Sequence, residues 1–320
     1  MLFFTTVALV SSLASPVFGT VYRQSDSFVG SQFYSGFSHQ AISDPTHGRV
    51  NYVDVTTSQS QNLTYASDDT FILRADDTTV LNADGPGRNS VRLQSNNQYG
   101  SNTAMVFNIR HMPQGCGTWP AVWTVGPNWP NGGEIDIIEG VNNQASNQAT
   151  LHTSSGCTMP SGSRTQTGVS LQNECDVNVN SNAGCGVQLQ NSISYGSGFN
   201  DNGGGWFFLR YALEWTDSFI KIWFWSRNDP DVPTGVRTGG SVVITDNWGT
   251  PAAYFPNTSC ALTNYFSPQN IIINCKCCGD WAGSAYGSSG CPSSCDDFVN
   301  NNPGAFADAY FDFAWVKVYS

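Results

Sequence analysis

Helical periodicity is nearly absent from this chain. Short alternating or β-branched runs recur instead, bounded by Gly, Asn, Asp and Pro. They include RVNYVDV (49–55), TFILRA (70–75), TAMVFNIR (103–110), EIDII (134–138) and ATLHT (149–153). WFFLRYALEW (206–215), FIKIWFW (219–225), NIIIN (270–274) and FDFAWVKVY (311–319) follow. Residues 206–225 read as a hairpin turning at TDS. The single short helix expected spans NPGAFADAY, 302–310. So many strands with so little helix call for an all-β sandwich of two sheets or a barrel. No repeat or linker divides the chain, and one domain over 20–320 is expected. Segment 154–205, rich in Gly, Asn and Ser and holding three cysteines, reads as long loops fastened by disulfides.

Residues 1–19 read as a signal peptide. The apolar run Leu2 to Leu13 is too short to span a bilayer, and Val17 and Gly19 place small residues before a cut at Thr20. No second apolar run of membrane length follows. The ten cysteines, an even number behind an export signal, agree with an oxidising destination. NLT at Asn62 and NTS at Asn257 are glycosylation acceptors on a eukaryotic secretory route. The protein is therefore expected to be secreted, extracellular and monomeric, with no membrane partner. A formal charge of −11 argues against nucleic acid as a partner. With only 12 % charged residues, the surface suits a neutral, hydroxyl-rich ligand such as a polysaccharide.

The chemistry concentrates in GTWPAVWTVGPNWPNGGEIDIIEGV, 117–141. Glu134 and Asp136 share a face of a regular strand, and Glu139 would point the other way. A β-bulge between Asp136 and Glu139 adds one residue and returns Glu139 to the acidic face. The adjacent Ile137 and Ile138, which break alternation, mark where it falls. Four strand steps separate the two Glu backbones by roughly 13 Å. Side chains leaning together then approach the carboxyl separation of about 5–5.5 Å that retaining glycoside hydrolysis needs. Asp136 between them can share a proton, keeping Glu134 ionised while Glu139 stays protonated. Acids alternating on a strand more often form a solvated face or a Ca²⁺ site. Here the apolar spacers pack the opposite face, and Trp123 and Trp129, read as lying beside the acids in a Pro/Gly/Asn loop, can stack on pyranose rings.

NGGEIDIIEG resembles the catalytic motif of glycoside hydrolase family 16 in its bulged, laminarinase-type form. HMPQGCGTWPAVW, DPTHGRVNYVD, PGRNSVRL, TLHT, NGGGW, FIKIWF, DNWGTP, CGDWAG and VNNNPGAF extend the resemblance to secreted fungal laminarinases over residues 20–320. It implies a β-jelly-roll sandwich of two antiparallel sheets with an open cleft. It also implies endo-hydrolysis of β-1,3-glucan or mixed β-1,3/1,4-glucan with retention, a chemistry that needs no cofactor or catalytic metal and leaves a structural Ca²⁺ open. By position Glu134 matches the nucleophile, Glu139 the acid/base and Asp136 the acid supporting the nucleophile. Trp123, Trp129, His152 and Trp281 match subsite residues, with Arg92 and Asn131 as hydroxyl partners. A histidine on the ATLHT strand can equally be a satisfied core residue; its family position favours the cleft.

One departure is Cys275-Lys276-Cys277-Cys278, where Cys278 matches the family's cysteine and Cys275 and Cys277 are additional. The two extra thiols can pair in strained geometry, stay free, or join Cys291 and Cys295 around a soft metal. A reshuffled disulfide is the expected outcome of export. Two rivals to hydrolysis carry forward: a β-glucan transglycosylase on the same scaffold, and a β-glucan-binding protein without catalysis.

Overall fold

A computed structural model describes residues 20–162, 164–202, 209–226 and 229–320. The expected leader, residues 1–19, lies outside the described residues, as does the start of the 206–215 run. The remainder is a sandwich of two antiparallel sheets. The eight-stranded sheet runs Val169–Ser170, Val187–Gln188, Gln148–His152, Glu134–Glu139, Thr118–Val125, Gln269–Cys277, Arg92–Tyr99, Phe37–His39. The nine-stranded sheet is built around Val21–Phe28, Tyr310–Tyr319, Thr103–His111, Leu209–Trp215, Phe219–Trp225 and Ala253–Pro256. The expected hairpin is present, with Trp215 opposite Ile220. Thr216 Oγ1 closes its turn by accepting from the Ser218 and Phe219 amides.

Alternation decides which side chains meet between the sheets. Leu93, Val122, Ile135, Leu151, Ile271 and Ile273 from the first pack against Met105, Phe107, Ile109, Leu213, Ile220 and Ile222 from the second. Burying an aliphatic side chain contributes about 1.5–3 kcal/mol, so this layer fixes the register of both sheets. The Leu209–Trp215 strand is buried along its whole length because its outer face is also covered. There Trp223, Trp225 and Trp248 form a second cluster with Val106 and Ala212.

Three expectations need correction. RVNYVDV is strand only over Val50–Tyr52, because Asp54 caps a helix, Val55–Ser60, by accepting from the Thr57 amide at 2.7 Å. Helix is also more plentiful than one segment. Gly279–Tyr286 and Cys295–Asn301 are helical, and only a 3₁₀ turn, Pro303–Phe306, falls where the single helix was expected. Ser294 caps the Cys295 helix through the Asp297 amide, a capping signal that the sequence carries in Ser294 and Asp297.

The cysteines form the third correction. Bonds join Cys116–Cys291, Cys157–Cys260, Cys175–Cys185 and Cys278–Cys295, while Cys275 and Cys277 are free and buried. Two residues apart on one strand, the extra thiols share a face at the limit of disulfide reach. Cys291 and Cys295 are already paired elsewhere, so neither a reshuffled bond nor a thiolate metal set forms. Two bonds do fasten the 154–205 loops, as expected.

Candidate active site

Residues directly opposite one another in an antiparallel pair share a face. The register of the eight-stranded sheet therefore lists its outer face: Asp136 opposite Trp123, Glu139 opposite Ala121, Glu134 opposite His152, Lys276 opposite Trp119, Asn274 opposite Arg92. The bulge is present. Pairing slips between Asp136 and Glu139 against one neighbour and between Asp136 and Ile138 against the other. Ile137 and Ile138 both enter the core while Glu139 returns to the acidic face. Asn147, fully buried, clamps the irregularity: its Oδ1 accepts from the Glu139 amide at 2.9 Å and its Nδ2 donates to the Ile137 carbonyl at 2.9 Å.

The acids sit in low-dielectric surroundings that favour their neutral forms. Burial pushes Glu134 up to about 7, against the pull of an indole N–H from Trp129, the Arg92 charge and a hydrogen bond with Asp136. Asp136 is raised well above the carboxylate range by burial, then by the charges of Glu134 and Glu139. Its contact with Glu134 adds to the preference for the neutral form. Burial raises Glu139 too, while the Trp119 indole, donating to its Oε1 at 2.8 Å, and His152 pull it back. His152 is 8 % exposed, and burial lowers its pKa. Its Nδ1 meets Asn182 Oδ1 at 2.9 Å and its Nε2 stands 3.4 Å from Asp136 Oδ2, an oxygen without a hydrogen bond.

The aromatic residues frame this face. Trp123 is fixed at its Nε1 by Asn274 Oδ1, 2.8 Å away, and under its ring by the Arg92 guanidinium at 4.9 Å. Arg92 also donates to Gln40 Oε1 at 2.7 Å, so it is committed to holding the tryptophan. Trp129, 47 % exposed, and the exposed Asn131 ride on a loop closed by Gly126 N to Gly133 O at 3.0 Å. That loop needs its glycines. A Cβ at Gly132 would lie 2.3 Å from the Pro127 carbonyl, and Gly133 has φ +72°. Trp281, at the start of the Gly279–Tyr286 helix, packs edge-on to Trp119 at 5.8 Å.

The candidate cleft residues thus fall on one sheet face or its rim loop, except Trp281, which reaches that face from the Gly279–Tyr286 helix. Sequence reasoning missed Trp119, Asn147 and Lys276. Trp119 lies four residues before Trp123 and so shares its face, a signal that could have been read. Asn147 and Lys276 carry none, since register alone brings them there.

Comparison with known proteins places the chain in a family. A family model described as an XgeA-like, catalytic GH16 domain covers residues 37–319. An Emericella nidulans endo-1,3(4)-β-glucanase is 39 % identical over 308 residues, 93 % of this chain and 47 % of that protein. This chain spans less than half the length of that relative. Laminarinase 16A from Phanerochaete chrysosporium, solved with 6-O-glucosyl-laminaritriose in donor and acceptor sites, superposes with a TM-score of 0.91. It is 57 % identical, over 94 % of this chain and all of that one. An elongating family 16 β-1,3-glucosyltransferase follows at a TM-score of 0.85 and 39 % identity, over 93 % of this chain and all of that one. Because the matched stretch takes in every strand of the acid-bearing sheet, the chain belongs to glycoside hydrolase family 16, in its XgeA-like group.

Proposed function

We propose that this protein is an endo-acting, retaining β-glucanase that cuts β-1,3-glucan and mixed β-1,3/1,4-glucan. One observation carries the reading: the clamped bulge sets Glu139 on the same face as Glu134, with Asp136 between them. Glu134 attacks the anomeric carbon while Glu139 delivers its proton to the departing glucosyl oxygen. Glu139 then takes a proton from water as the glycosyl-enzyme is hydrolysed. Asp136 supports the nucleophile, and the burial that favours its neutral form keeps a third charge out of the site. Trp123, Trp129 and Trp281 offer ring faces to glucosyl units; His152, Asn131 and Arg92 line the same cleft. No step in this scheme requires a metal or cofactor.

Export of a monomer behind the 1–19 leader fits four disulfides and exposed sequons at Asn62 and Asn257. Among the described residues no helix is long and apolar enough to cross a membrane. Glu134→Gln and Glu139→Gln should each remove more than about 99 % of laminarin hydrolysis, measured as reducing ends. Turnover near the wild-type rate in either variant overturns the reading. The similarity to a glucosyltransferase favours one second reading, transfer of the glycosyl unit to another sugar. A product ladder that climbs above the length of a laminari-oligosaccharide substrate would select it.

A further inference from the structure

Lys276 has no part in the scheme above, yet it is a cation in the floor of the cleft. It is 6 % exposed, and its Nζ stands 3.0 Å from the centroid of the Trp119 ring. The ammonium also hydrogen-bonds Thr46 Oγ1 and lies 4.0 Å from Asp44 Oδ2. That Asp44 oxygen is already engaged, accepting from the Gly48 amide at 2.8 Å and from Thr46 Oγ1 at 2.9 Å. The ammonium is therefore held between the Thr46 hydroxyl and the indole face, both nearer to it than the Asp44 carboxylate. On the far edge of the same ring, Nε1–H donates to Glu139 Oε1 at 2.8 Å.

A cation on an indole face draws π density toward itself. The N–H at the ring edge becomes a better donor, and a stronger donor favours the ionised carboxylate. The direct field of Lys276 acts in the same direction. We propose that Lys276 is a positioning residue that acts through Trp119 to limit the proton affinity of Glu139. It thereby sets the upper pH at which the acid/base can still deliver a proton. This rests on the reading of Glu139 as acid/base.

The surroundings support it. Glu139 is faced by Glu134 and Asp136 from its own strand, His152 from the next, and Tyr195 beneath. Burial and the Glu134 charge favour its protonated form, so the Lys276–Trp119 unit and His152 are the counterweights. Lys276 itself is faced by Asp44, Glu139, Asp280 and Arg92, and burial pulls it down to about 8. It is thus charged below that value.

The test is the pH profile of kcat/KM on laminarin for wild type, Lys276→Met, Lys276→Gln, Lys276→Arg, Trp119→Phe, and Lys276→Met combined with Trp119→Phe. Lys276→Gln keeps a hydrogen bond to Thr46 and serves if the Met variant does not fold. Removing the charge should move the basic limb up by about half a pH unit or more, and Arg should restore it. In the Trp119→Phe background, which keeps the ring and loses the N–H, the same removal should shift the limb by less than half as much. A basic limb unmoved by either neutral variant, or a shift undiminished in that background, overturns the proposal. Full activity in Glu139→Gln would instead overturn the acid/base assignment beneath it. An inactive Glu139→Gln with an unmoved Lys276→Met limb sinks this inference alone.

Discussion

Asn147 shows how much of the site depends on a residue outside the acidic motif. Its amide satisfies both backbone groups that the bulge frees from the ladder, the Glu139 N–H and the Ile137 carbonyl. Removing a buried side chain that bonds two backbone groups costs about 1–3 kcal/mol for each group left unpartnered. Glu139 would also lose its fixed offset from Glu134. Asn147→Ala should therefore lower kcat on laminarin by about 10- to 100-fold in protein that still folds, since small misplacements at a reacting centre cost that much. A variant with wild-type kcat would mean that packing of Ile137 and Ile138 holds the bulge unaided. The bulge itself was legible, because two adjacent isoleucines between acids cannot both face the core on a regular strand. The clamp was not, since an Asn eight residues downstream in NNQASNQ looks like any loop residue. The same contrast separates Trp119, readable from its spacing to Trp123, from Lys276, which reaches Trp119 only by register.

Elements place these residues, and two of them make measurable demands. The Gln269–Cys277 strand presents Asn274 and Lys276 to the cleft and turns Cys275 and Cys277 inward, beside Tyr286, Val299 and Phe306. Burial raises both thiols, Cys277 to about 12, so neither supplies thiolate at neutral pH. A thiol reagent such as DTNB should titrate about zero groups in the native protein and two after denaturation without reductant, given four disulfides. Zero in the denatured protein would establish a fifth bond and overturn the pairing. On the rim, Gly132→Ala places a Cβ against the Pro127 carbonyl and must shift the loop carrying Trp129 and Asn131. KM for laminarin should rise several-fold with a smaller change in kcat; an unchanged KM would detach this loop from binding. Strands were legible in most runs of alternating or β-branched residues, RVNYVDV being an exception because Asp54 starts a helix within it. The short helices were not, since two-turn helices beside Cys278 and Cys295 draw their stability from disulfides and packing, which leave little periodicity.

At the scale of the whole molecule, the sandwich buries acids that an unfolded chain would leave in water, and this links its stability to pH. Between the ordinary Glu value of 4.5 and about 7 the native state keeps the Glu134 proton that the unfolded state has released. The stability gained by holding that carboxyl neutral is fully present below 4.5 and is lost as pH rises through 7. Asp136 and Glu139, both raised by burial, act in the same sense. His152 opposes them: its lowered pKa gives stability above 6.5 that is lost as pH falls. The wild-type curve is thus a balance, and the informative quantity is a difference. Glu134→Gln keeps the shape and an acceptor for Trp129 and Asp136 but cannot ionise. Its stability relative to wild type should be near zero at pH 4.5 and should grow through pH 7 to the order of 1–3 kcal/mol. In a protein of this size that amounts to several degrees of Tm. Thermal unfolding of both proteins at pH 4.5, 6 and 7.5 reads it directly. A gap that stays flat or narrows with pH would mean that Glu134 ionises in the native state as freely as in water, and the dry, acid-holding face described for this cleft would be wrong.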